Sequence, residues 1–353
     1  MKNADRKPLA LIFGGRGKER DVSIESAEFV YESIDKSIYK PIPVHITCRG
    51  DWLVSSRVEA LSPRALSECA EGLLRVAPFP KADGGALLIE NGDSIDIYCA
   101  FPMLHGDFGE DGIIQGALEN ANIAYVGCDV SSGAIAIDKS HTKIMAQHLG
   151  IPTARWLTAR RDDFDPARRL AIGTLGLPLF IKPARLGSSI GARSVRSEIE
   201  FSEAFYSAAK LDGKVLIEEL VEIEAELECA YFAAKSKELF TNIGEIRYNT
   251  EFYDYDTKYK CDLKASLYTS SKYERIFGDR IRDYSRSLVR LIGVRDVARI
   301  DFFLTRGGEI LFNEINTMPG FTKGSLYPAL LSEANISAAD AISELVENAK
   351  VRG

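Results

Sequence analysis

Residues 298–320 read ARIDFFLTRGGEILFNEINTMPG and give the clearest structural signal in the chain. Two short apolar segments flank Thr305-Arg306-Gly307-Gly308, which predicts a β-hairpin with a four-residue loop. The predicted register opposes three pairs of residues: Leu304 and Glu309, Asp301 and Phe312, and Arg299 and Glu314. Because opposite residues and residues two apart share a face, the register predicts one polar and one buried face. The polar face holds Arg299, Asp301, Glu314 and Asn316, and the buried face holds Ile300, Phe302, Leu304, Leu311 and Ile315.

The polar face of this hairpin predicts a metal site. Asp301, Glu314 and Asn316 offer carboxylate and amide oxygens, which suit Mg²⁺ that bridges phosphates better than they suit zinc. The alternative is a solvated sheet face that carries only a salt bridge. A slip of one residue in the register would scatter the cluster, because neighbouring residues of a strand point to opposite faces.

The composition is that of an ordinary globular protein with 353 residues, enough for two or three domains. The net charge of −7 argues against general nucleic-acid binding. Neither a membrane span nor a signal peptide is expected, because the apolar runs are short and the N-terminal MKNADRKP is polar. The six cysteines are scattered singly, which favours reduced thiols in a cytoplasmic enzyme and argues against a zinc site.

The first part of the chain alternates strands and helices. An apolar strand at Leu9–Phe13 runs into a glycine turn and a helix at Val22–Ser33. Further strands are expected at Tyr39–Ile46, Ile95–Pro102 and Ile123–Val126. The alternation predicts a doubly wound parallel sheet, with 52–91 as a less regular insertion that contains one helix.

Two polar segments lie where ligands of open α/β sheets bind, after the strands. Glu19 is at the start of the first helix, where a carboxylate can meet a ligand amine, although an ordinary helix-terminal charge is the simpler interpretation. The loop His105–Gly112 reads HGDFGEDG and is either a ligand loop or a connection that ends in a helix cap.

A second candidate ligand loop follows the apolar strand LFIKP, which contains Lys182. The loop is rich in small residues, which allow backbone N–H groups to approach phosphate oxygens, and the lysine would add a charge. The alternative is an ordinary hairpin turn with a lysine at a sheet edge. Farther along, the tyrosine-rich segment 247–271 has no clear periodicity and is expected to be a functional lid.

Taken together, these motifs resemble the D-alanine–D-alanine ligase family of the ATP-grasp superfamily. The matching segments follow the family's order along nearly the whole chain: GGRGKERDVSIESA, HGDFGEDGIIQGALE, AIDKSHTK, PLFIKPARLGSSIGA, VLIEELVEIEAELE, EFYDYDTKY, ARIDFF and NEINTMPGFTKGSLYP. The resemblance implies an α/β (α+β) ATP-grasp fold with a doubly wound N-terminal domain at 1–130. Two α+β domains, at 131–220 and 221–353, would enclose ATP, with a lid loop at 247–271.

The resemblance also implies a reaction. ATP phosphorylates the carboxylate of a first D-alanine, and the amine of a second displaces the phosphate to give a dipeptide for peptidoglycan precursors. The implied cofactors are ATP and two Mg²⁺ ions, with Mn²⁺ as a substitute, and the implied metal ligands are Asp301, Glu314 and Asn316. The residues implied to contact ATP are Lys139, Lys182, Ser189, Glu218, Glu219, Val221 and Glu226. The implied catalytic residues are Glu19, Ser188, Tyr259, Arg299 and Gly320, and the substrate-binding residues are His105, Lys258, Ser325 and Leu326.

Roles follow from the same resemblance. Arg299 and the Gly320 N–H would stabilise the oxyanion of the tetrahedral intermediate. Glu19 would hold the ammonium group of the first D-alanine and form a hydrogen-bonded triad with Ser188 and Tyr259. The spacing from Glu218 to the ribose-binding Glu226 is one residue longer than is usual in the family.

The second substrate is less sharply specified. Leu326 is apolar, as in alanine-specific members of the family, which favours D-alanine. Lys323 stands where serine is more common and could hydrogen-bond the hydroxyl group of D-serine. The sequence VGCD at 126–129 and the long lid also resemble D-alanine–D-serine resistance ligases.

Two other function classes compete with the ligase. A nicotinamide oxidoreductase would use the first glycine turn, but it requires an acidic residue after the second strand, where Thr47-Cys48 stands. An ATP-binding regulatory protein without turnover is disfavoured, because Lys182, Arg299 and the metal ligands are all intact. The expected partners are small-molecule substrates and a second copy of the chain in a homodimer, with no nucleic acid and no membrane.

Overall fold

The computed structural model describes residues 6–56, 61–235, 237–247 and 266–352. The strands of its first sheet are β1 (Lys7–Gly14), β2 (Tyr39–Ile46), β3 (Trp52–Ser55), β4 (Leu73–Lys81), β5 (Gly84–Ile89), β6 (Ser94–Ile97) and β7 (Cys99–Met103). Their order is β6-β5-β4-β3-β2-β1-β7. Only the neighbours β2-β1-β7 run parallel, and the other neighbouring pairs are antiparallel.

The predicted parallel arrangement therefore holds only for the end of the first sheet that is formed by β2, β1 and β7. The predicted strand Ile95–Pro102 is two strands, β6 and β7, separated at Tyr98. The predicted strand Ile123–Val126 contributes only a bridge from Tyr125 to Ala100.

The segment 52–91 extends the first sheet instead of forming a separate insertion. Its strands β3, β4 and β5 pair antiparallel, and helix α2 (Pro63–Glu68) lies between β3 and β4. One side chain in each strand is buried in the same core, namely Val54, Val76 and Leu87. This burial gives the segment the half-buried pattern of an antiparallel sheet.

Helices cover both faces of the three parallel strands. The strand β1, which lies between β2 and β7, has the sequence KPLALIFG, and Leu9 and Leu11 are buried on one face while Ala10 and Ile12 are buried on the other. Helix α1 (Arg20–Ser33) contributes to the first of these cores, and α3 (Ile113–Asn120) contributes to the second. Burial on both faces is characteristic of a parallel strand between helical layers.

The second sheet lies in the middle of the chain. It follows α4 (Val130–Ala136) and α5 (Lys139–His148) and is formed by β8 (Trp156–Arg160), β9 (Leu179–Pro183), β10 (Arg193–Val195) and β11 (Lys214–Glu219). The order is β10-β9-β11-β8, and each neighbouring pair is antiparallel. Helices α6 (Phe164–Thr174) and α7 (Glu198–Leu211) pack an aromatic cluster onto one face, with Phe201 and Phe205 fully buried. The opposite face remains open to the cleft.

The third sheet contains the predicted hairpin. Its strands are β12 (Ile223–Ala234), β13 (Lys237–Phe240), β14 (Gly244–Arg247), β15 (Ser266–Tyr268), β16 (Val297–Thr305) and β17 (Ile310–Asn316). The order is β15-β14-β12-β16-β17, and β13 pairs with β12. Helix α8 (Glu274–Ile292) covers its apolar face, and α9 (Leu326–Glu333) leads to α10 (Ala338–Arg352).

Helix α10 returns to the first sheet and ties the two ends of the chain together. Glu347 accepts hydrogen bonds from Lys7 Nζ at 2.8 Å, Tyr39 OH at 2.8 Å and Tyr98 OH at 3.0 Å. Its apolar side chains join the core beneath α1. The first and third sheets are thus joined by packing as well as by the chain.

The hairpin forms as predicted, but in a different register. The observed pairs are Leu304–Ile310, Phe302–Phe312 and Asp301–Glu314. A β-bulge lies between the last two pairs, because Asn313 is an extra residue on β17. Near the loop the predicted register is wrong by one residue, so Phe312 rather than Leu311 shares the face of Phe302 and its core, and Leu311 is buried on the opposite face with Phe303. Beyond the bulge the difference is two residues, so the polar side chains still share one face.

Candidate active site

A cleft of about 980 Å³ lies between the three sheets. It is lined by the loop that follows β7, the open face of the second sheet and the polar face of the hairpin. Each predicted site residue within the described ranges lines this cleft. Lys258 and Tyr259 lie outside the described residues.

The polar face of the hairpin holds an arginine against a carboxylate. Arg299 donates from Nε to Asp301 Oδ1 at 2.8 Å and from Nη2 to Asp301 Oδ2 at 2.7 Å. Asn316 Nδ2 donates to the same Oδ2 at 3.0 Å. Burial raises the pKa of Asp301, and the guanidinium opposes that increase. The bidentate contact fixes the orientation of both side chains relative to each other.

Glu314, directly opposite Asp301, is paired with Lys139 from another element. Lys139 Nζ lies 2.9 Å from Glu314 Oε2 and donates to Leu186 O at 2.7 Å. Helix α5 presents this lysine at its first turn, where Asp138 caps the helix by accepting from Ser140 N at 3.0 Å. Burial raises the pKa of Glu314, but the nearby lysines outweigh it and lower the value to about 2.

Glu228 on β12 is a third carboxylate on this face that the sequence prediction missed. It pairs across the strands with Asp301, and its Oε1 lies 3.2 Å from Arg299 Nε. Its Oε2 is buried without a hydrogen-bond partner, and burial raises the pKa of the group to about 8 although Arg299 lowers it. A buried carboxylate oxygen without a partner is costly unless a cation or donor meets it.

These donors fit a magnesium ion that is shared with a substrate. Within the described residues, no group of three His, Cys, Asp or Glu side chains is arranged to hold a metal by itself. The hairpin strands instead offer two carboxylates and an amide (Asp301, Glu314 and Asn316), all hard oxygen donors, and Glu228 of β12 adds a third carboxylate beside them. Mg²⁺ is typically held by one or two carboxylates together with substrate phosphates. The orphaned Glu228 oxygen is consistent with a cation bound beside it.

A buried triad of charges forms the opposite wall. Glu218 Oε2 lies 2.7 Å from Lys182 Nζ, and its Oε1 lies 2.6 Å from Lys143 Nζ. Burial raises the pKa of Glu218, but the two lysines outweigh it and lower the value to about 2. The bulge residue Asn313 reaches the same lysine, with Oδ1 at 3.4 Å from Lys182 Nζ. Lys143 and Asn313 were not predicted as site residues.

The rim of this wall carries the remaining residues predicted to contact ATP. Glu219 is held by Arg155, whose Nε lies 2.7 Å from Glu219 Oε2 and whose backbone N–H donates to Oε1 at 2.8 Å. Val221 lies just beyond, in the link between β11 and β12, and Glu226 lies on β12 opposite Phe303. Between Glu218 and Glu226 the strand β12 bulges, because Ile223 pairs with Thr305 and Ala225 pairs with Leu304.

Glu19 lies where two loops converge. Ser188 Oγ donates to Glu19 Oε1 at 2.5 Å, from the loop that follows Lys182. Ser188 and Ser189 both have positive φ, at 47° and 52°, which is strained for residues other than glycine. On the other side, a Cβ at Gly106 would lie 2.2 Å from Glu19 Oε2, so a side chain there would displace the Glu19 carboxylate, and the φ of 64° at Gly106 would also be strained for another residue. Two of the three members of the predicted triad are thus in contact.

His105 is held in one tautomer beside Glu19. Its Nδ1 lies 2.9 Å from Met318 O, which can only accept, so Nδ1 carries the proton. Its Nε2 then accepts from Ser26 Oγ at 3.0 Å. Burial lowers the pKa of His105 to about 4, so the ring is neutral at pH 7. In the same loop Glu110, another unpredicted residue, accepts from three backbone N–H groups (Gly106, Thr317 and Met318) at 3.1–3.3 Å.

The turn after β17 completes the cleft. Gly320 faces Ser325, whose Oγ accepts from Thr322 N at 3.1 Å. Leu326 begins α9, is buried, and packs against Gly244. Lys323 points away, toward Glu32 on α1, with the two charged groups 3.6 Å apart and both exposed. The lysine therefore does not line the cleft, which removes the basis for its predicted contact with D-serine.

Comparisons with known proteins agree along the whole chain. Family models described as "D-ala D-ala ligase N-terminus" and "D-ala D-ala ligase C-terminus" match residues 8–128 and 145–347. The D-alanine--D-alanine ligase of Chlorobium luteolum is 36% identical over 351 residues, which cover 96% of this chain and 95% of that protein. D-alanine--D-alanine ligase A of Mesorhizobium japonicum is 36% identical, with coverage of 100% and 99%.

The chain belongs to the D-alanine–D-alanine ligase family. This confirms the predicted family and the prediction of an ATP-dependent ligase, and it decides against the nicotinamide oxidoreductase.

Solved structures of the family confirm the predicted ATP-grasp fold. The VanG D-Ala:D-Ser ligase from Enterococcus faecalis superposes with a TM-score of 0.86 at 31% identity, covering 98% of this chain and 99% of that one. The D-alanine-D-alanine ligase from Coxiella burnetii gives 0.81 at 26% identity, with coverage of 98% and 96%. Ligases of this family act on small molecules, and no helix in the described ranges is long and apolar enough to cross a membrane.

Proposed function

We propose that this chain is a D-alanine–D-alanine ligase that forms D-alanyl-D-alanine through an acylphosphate, for peptidoglycan precursors. The observation that supports the proposal is that three sets of charged side chains line one cleft. Lys139 on α5 and Lys182 on the second sheet lie across the cleft from the carboxylate pair on the hairpin, and Glu19 lies at the end of the first sheet. Phosphoryl transfer requires mainly positioning and charge neutralisation, and this arrangement supplies both.

The nucleotide half of the site is formed by the lysines and the acidic rim. Lys139 and Lys182 would bind the phosphates of ATP, with Ser189 beside them, and Glu218, Glu219 and Val221 would border the adenine. Glu226 would take the ribose hydroxyl groups. Two Mg²⁺ ions, or Mn²⁺, held by Asp301, Glu314 and Asn316, would neutralise charge on the phosphates.

The amino-acid half surrounds Glu19. Its carboxylate would bind the ammonium group of the first D-alanine, while the neutral His105 packs beside it. The carboxylate of that D-alanine takes the γ-phosphoryl group of ATP, which leaves ADP. The amine of the second D-alanine then attacks the acyl carbon, phosphate leaves, and the amine loses a proton. Arg299 and the Gly320 N–H would stabilise the oxyanion that forms during the attack.

The second substrate is proposed to be D-alanine. Leu326 places a buried apolar side chain at the cleft wall near Ser325, where an alanine methyl group would fit. The ammonium of Lys323 is directed to Glu32 instead of the cleft. D-serine is the second candidate, because the chain resembles the VanG D-Ala:D-Ser ligase over nearly its whole length.

The lid, the domain limits and the oligomeric state are further parts of the proposal. The segment 247–271 would close over both substrates and exclude water that hydrolyses the acylphosphate. Within it, Tyr259 would complete the triad with Glu19 and Ser188, and Lys258 would bind phosphate or the second carboxylate. The domains would divide near residues 130 and 220. The enzyme would work as a cytoplasmic homodimer without nucleic acid.

The test is ADP and phosphate release from Mg²⁺–ATP with D-alanine alone, with added D-serine and with added D-lactate, and identification of the products by mass. D-alanyl-D-alanine as the main product is expected. A dominant D-alanyl-D-serine product would support the second candidate. If no amino acid stimulates ADP release, the ligase proposal is refuted, and nucleotide binding without turnover would point to a regulatory protein.

A further inference from the structure

Lys143 is a buried cation that the proposed reaction does not use. It lies one turn after Lys139 on α5, and only 1% of its side chain is exposed. Its Nζ is 2.6 Å from Glu218 Oε1, whereas Lys182 contacts the other carboxylate oxygen, Oε2. Burying a lysine this completely is unfavourable unless its charge is paired, and Glu218 provides that pairing.

The triad Lys143–Glu218–Lys182 contains one more cation than a neutral ion pair. With both lysines charged and the carboxylate ionised, it carries a net charge of +1. Without Lys143 it would be neutral, and Lys182 would be the sole counter-charge of a buried carboxylate. Lys182 is the member that reaches the open cleft, beside Asn313 of the hairpin. An excess positive charge would therefore be available at Lys182.

We propose that Lys143 is a positioning residue of the nucleotide site: by holding one oxygen of Glu218, it leaves the charge of Lys182 available to the nucleotide phosphates. The inference rests on the proposed function in that Lys182 is taken as a phosphate ligand. Lys143 itself does not touch the nucleotide. A purely structural ion pair would need only one lysine on Glu218, and the second cation is explained by the anion that Lys182 has to bind.

If Lys143 acts through Lys182, its removal should weaken the binding of ligands that carry phosphate and not of ligands that lack it. A purely structural role predicts no such difference. The ligands are Mg²⁺–ADP and adenosine, measured by calorimetry on the full-length chain. Lys143→Met is expected to weaken Mg²⁺–ADP binding by about tenfold to a hundredfold, the usual size of one charge-assisted interaction. Adenosine binding is expected to remain within about twofold, because adenosine has no phosphate. The matched control is Lys210→Met, which removes an exposed lysine on α7 away from the cleft.

A charge-balanced double variant separates the proposed role from a loss of stability. In Lys143→Met with Glu218→Gln, the triad again carries a single positive charge, on Lys182. Because Glu218 is itself proposed to border the adenine, the measure is the ratio of Mg²⁺–ADP affinity to adenosine affinity. This ratio is expected to return close to the wild-type value in the double variant, although two charged groups are missing. It also removes the buried carboxylate, so it should fold even if the single variant does not. Lys143→Arg, which keeps the cation, should retain wild-type affinity within about threefold.

Two results would overturn the inference. One is equal loss of ADP and adenosine affinity in Lys143→Met, which would indicate a structural effect on the whole pocket. The other is a double variant in which the ratio of Mg²⁺–ADP affinity to adenosine affinity is no higher than in the single variant, or, where the single variant does not fold, far below the wild-type ratio. Failure of the proposed function is a separate result. It would appear as wild-type protein that binds Mg²⁺–ADP but does not form ADP from Mg²⁺–ATP when D-alanine is added.

Discussion

Glu218→Gln tests whether the buried charges hold the second sheet together. The two lysines lower the pKa of Glu218 from 4.5 to about 2 in spite of burial. Each pKa unit corresponds to about 1.4 kcal/mol, so the ionised carboxylate contributes about 3 kcal/mol to the free energy of unfolding at pH 7. Glutamine has the shape of the protonated group but no charge. The variant is therefore expected to lose about 3 kcal/mol at neutral pH.

The sign of the pH dependence follows from the lowered pKa. A carboxylate with a depressed pKa stabilises the fold above its unfolded value near 4.5, and that stability is lost as the pH falls toward 2. The difference between wild type and Glu218→Gln should accordingly shrink to about 2 kcal/mol at pH 3.5.

The assay is denaturant unfolding followed by tryptophan fluorescence. Trp156 lies on β8 directly opposite Glu218 on β11, so it reports on the strand pair that carries the charge. Trp52→Phe removes the only other tryptophan, which belongs to the first sheet. Both proteins are compared in that background at pH 7, 5 and 3.5. Equal unfolding free energies at pH 7, or a difference that does not decrease in acid, would refute the charge assignment.

Three further predictions address the cleft. Glu314→Gln should lower D-alanine-dependent ADP release by about a hundredfold or more, because several kcal/mol of charge stabilisation on the phosphates would be lost, with circular dichroism checking that the fold is retained. Gly106→Ala should raise the KM for D-alanine but not for ATP, because the new methyl group would displace Glu19, and steady-state kinetics measure this split. Tyr259→Phe should increase the ratio of phosphate released to dipeptide formed, and an unchanged ratio would remove this tyrosine from the lid.

The sequence predicted the polar face of the hairpin in spite of an incorrect register. The slip of one residue at the loop and the extra residue at Asn313 together changed the pairing of Asp301 by two residues. A shift of two keeps the same face because the side-chain period of a strand is two. Closer to the loop the shift was one, so Leu311 and Phe312 exchanged faces. Nothing in the local sequence indicates the bulge, because Asn313, between Phe312 and Glu314, looks like an ordinary polar residue of a strand.

The residues that were missed depend on neighbours far away in the sequence. Lys143 meets Glu218 only because α5 packs beside the second sheet, although its spacing of four from Lys139 places both on one helix face and was a usable signal. Glu228 was visible as an acidic residue two positions after Glu226, immediately before the apolar second half of its strand. Its burial depends on the neighbouring strand β16, which begins at Val297.

The charged side chains that line the cleft are paired with each other, so a highly charged substrate has to replace one partner of a pair when it binds. Lys139 is paired with Glu314 and Arg299 with Asp301, so two cations proposed for phosphate and oxyanion binding rest on the carboxylates proposed for the metal. Moving Lys139 onto a phosphate would leave Glu314 ionised in a partly buried site unless another cation replaced it. Metal and nucleotide binding should therefore be coupled, because each supplies the charge that the other displaces. Lys182 differs, since Lys143 already balances its partner, and it can meet the phosphates first.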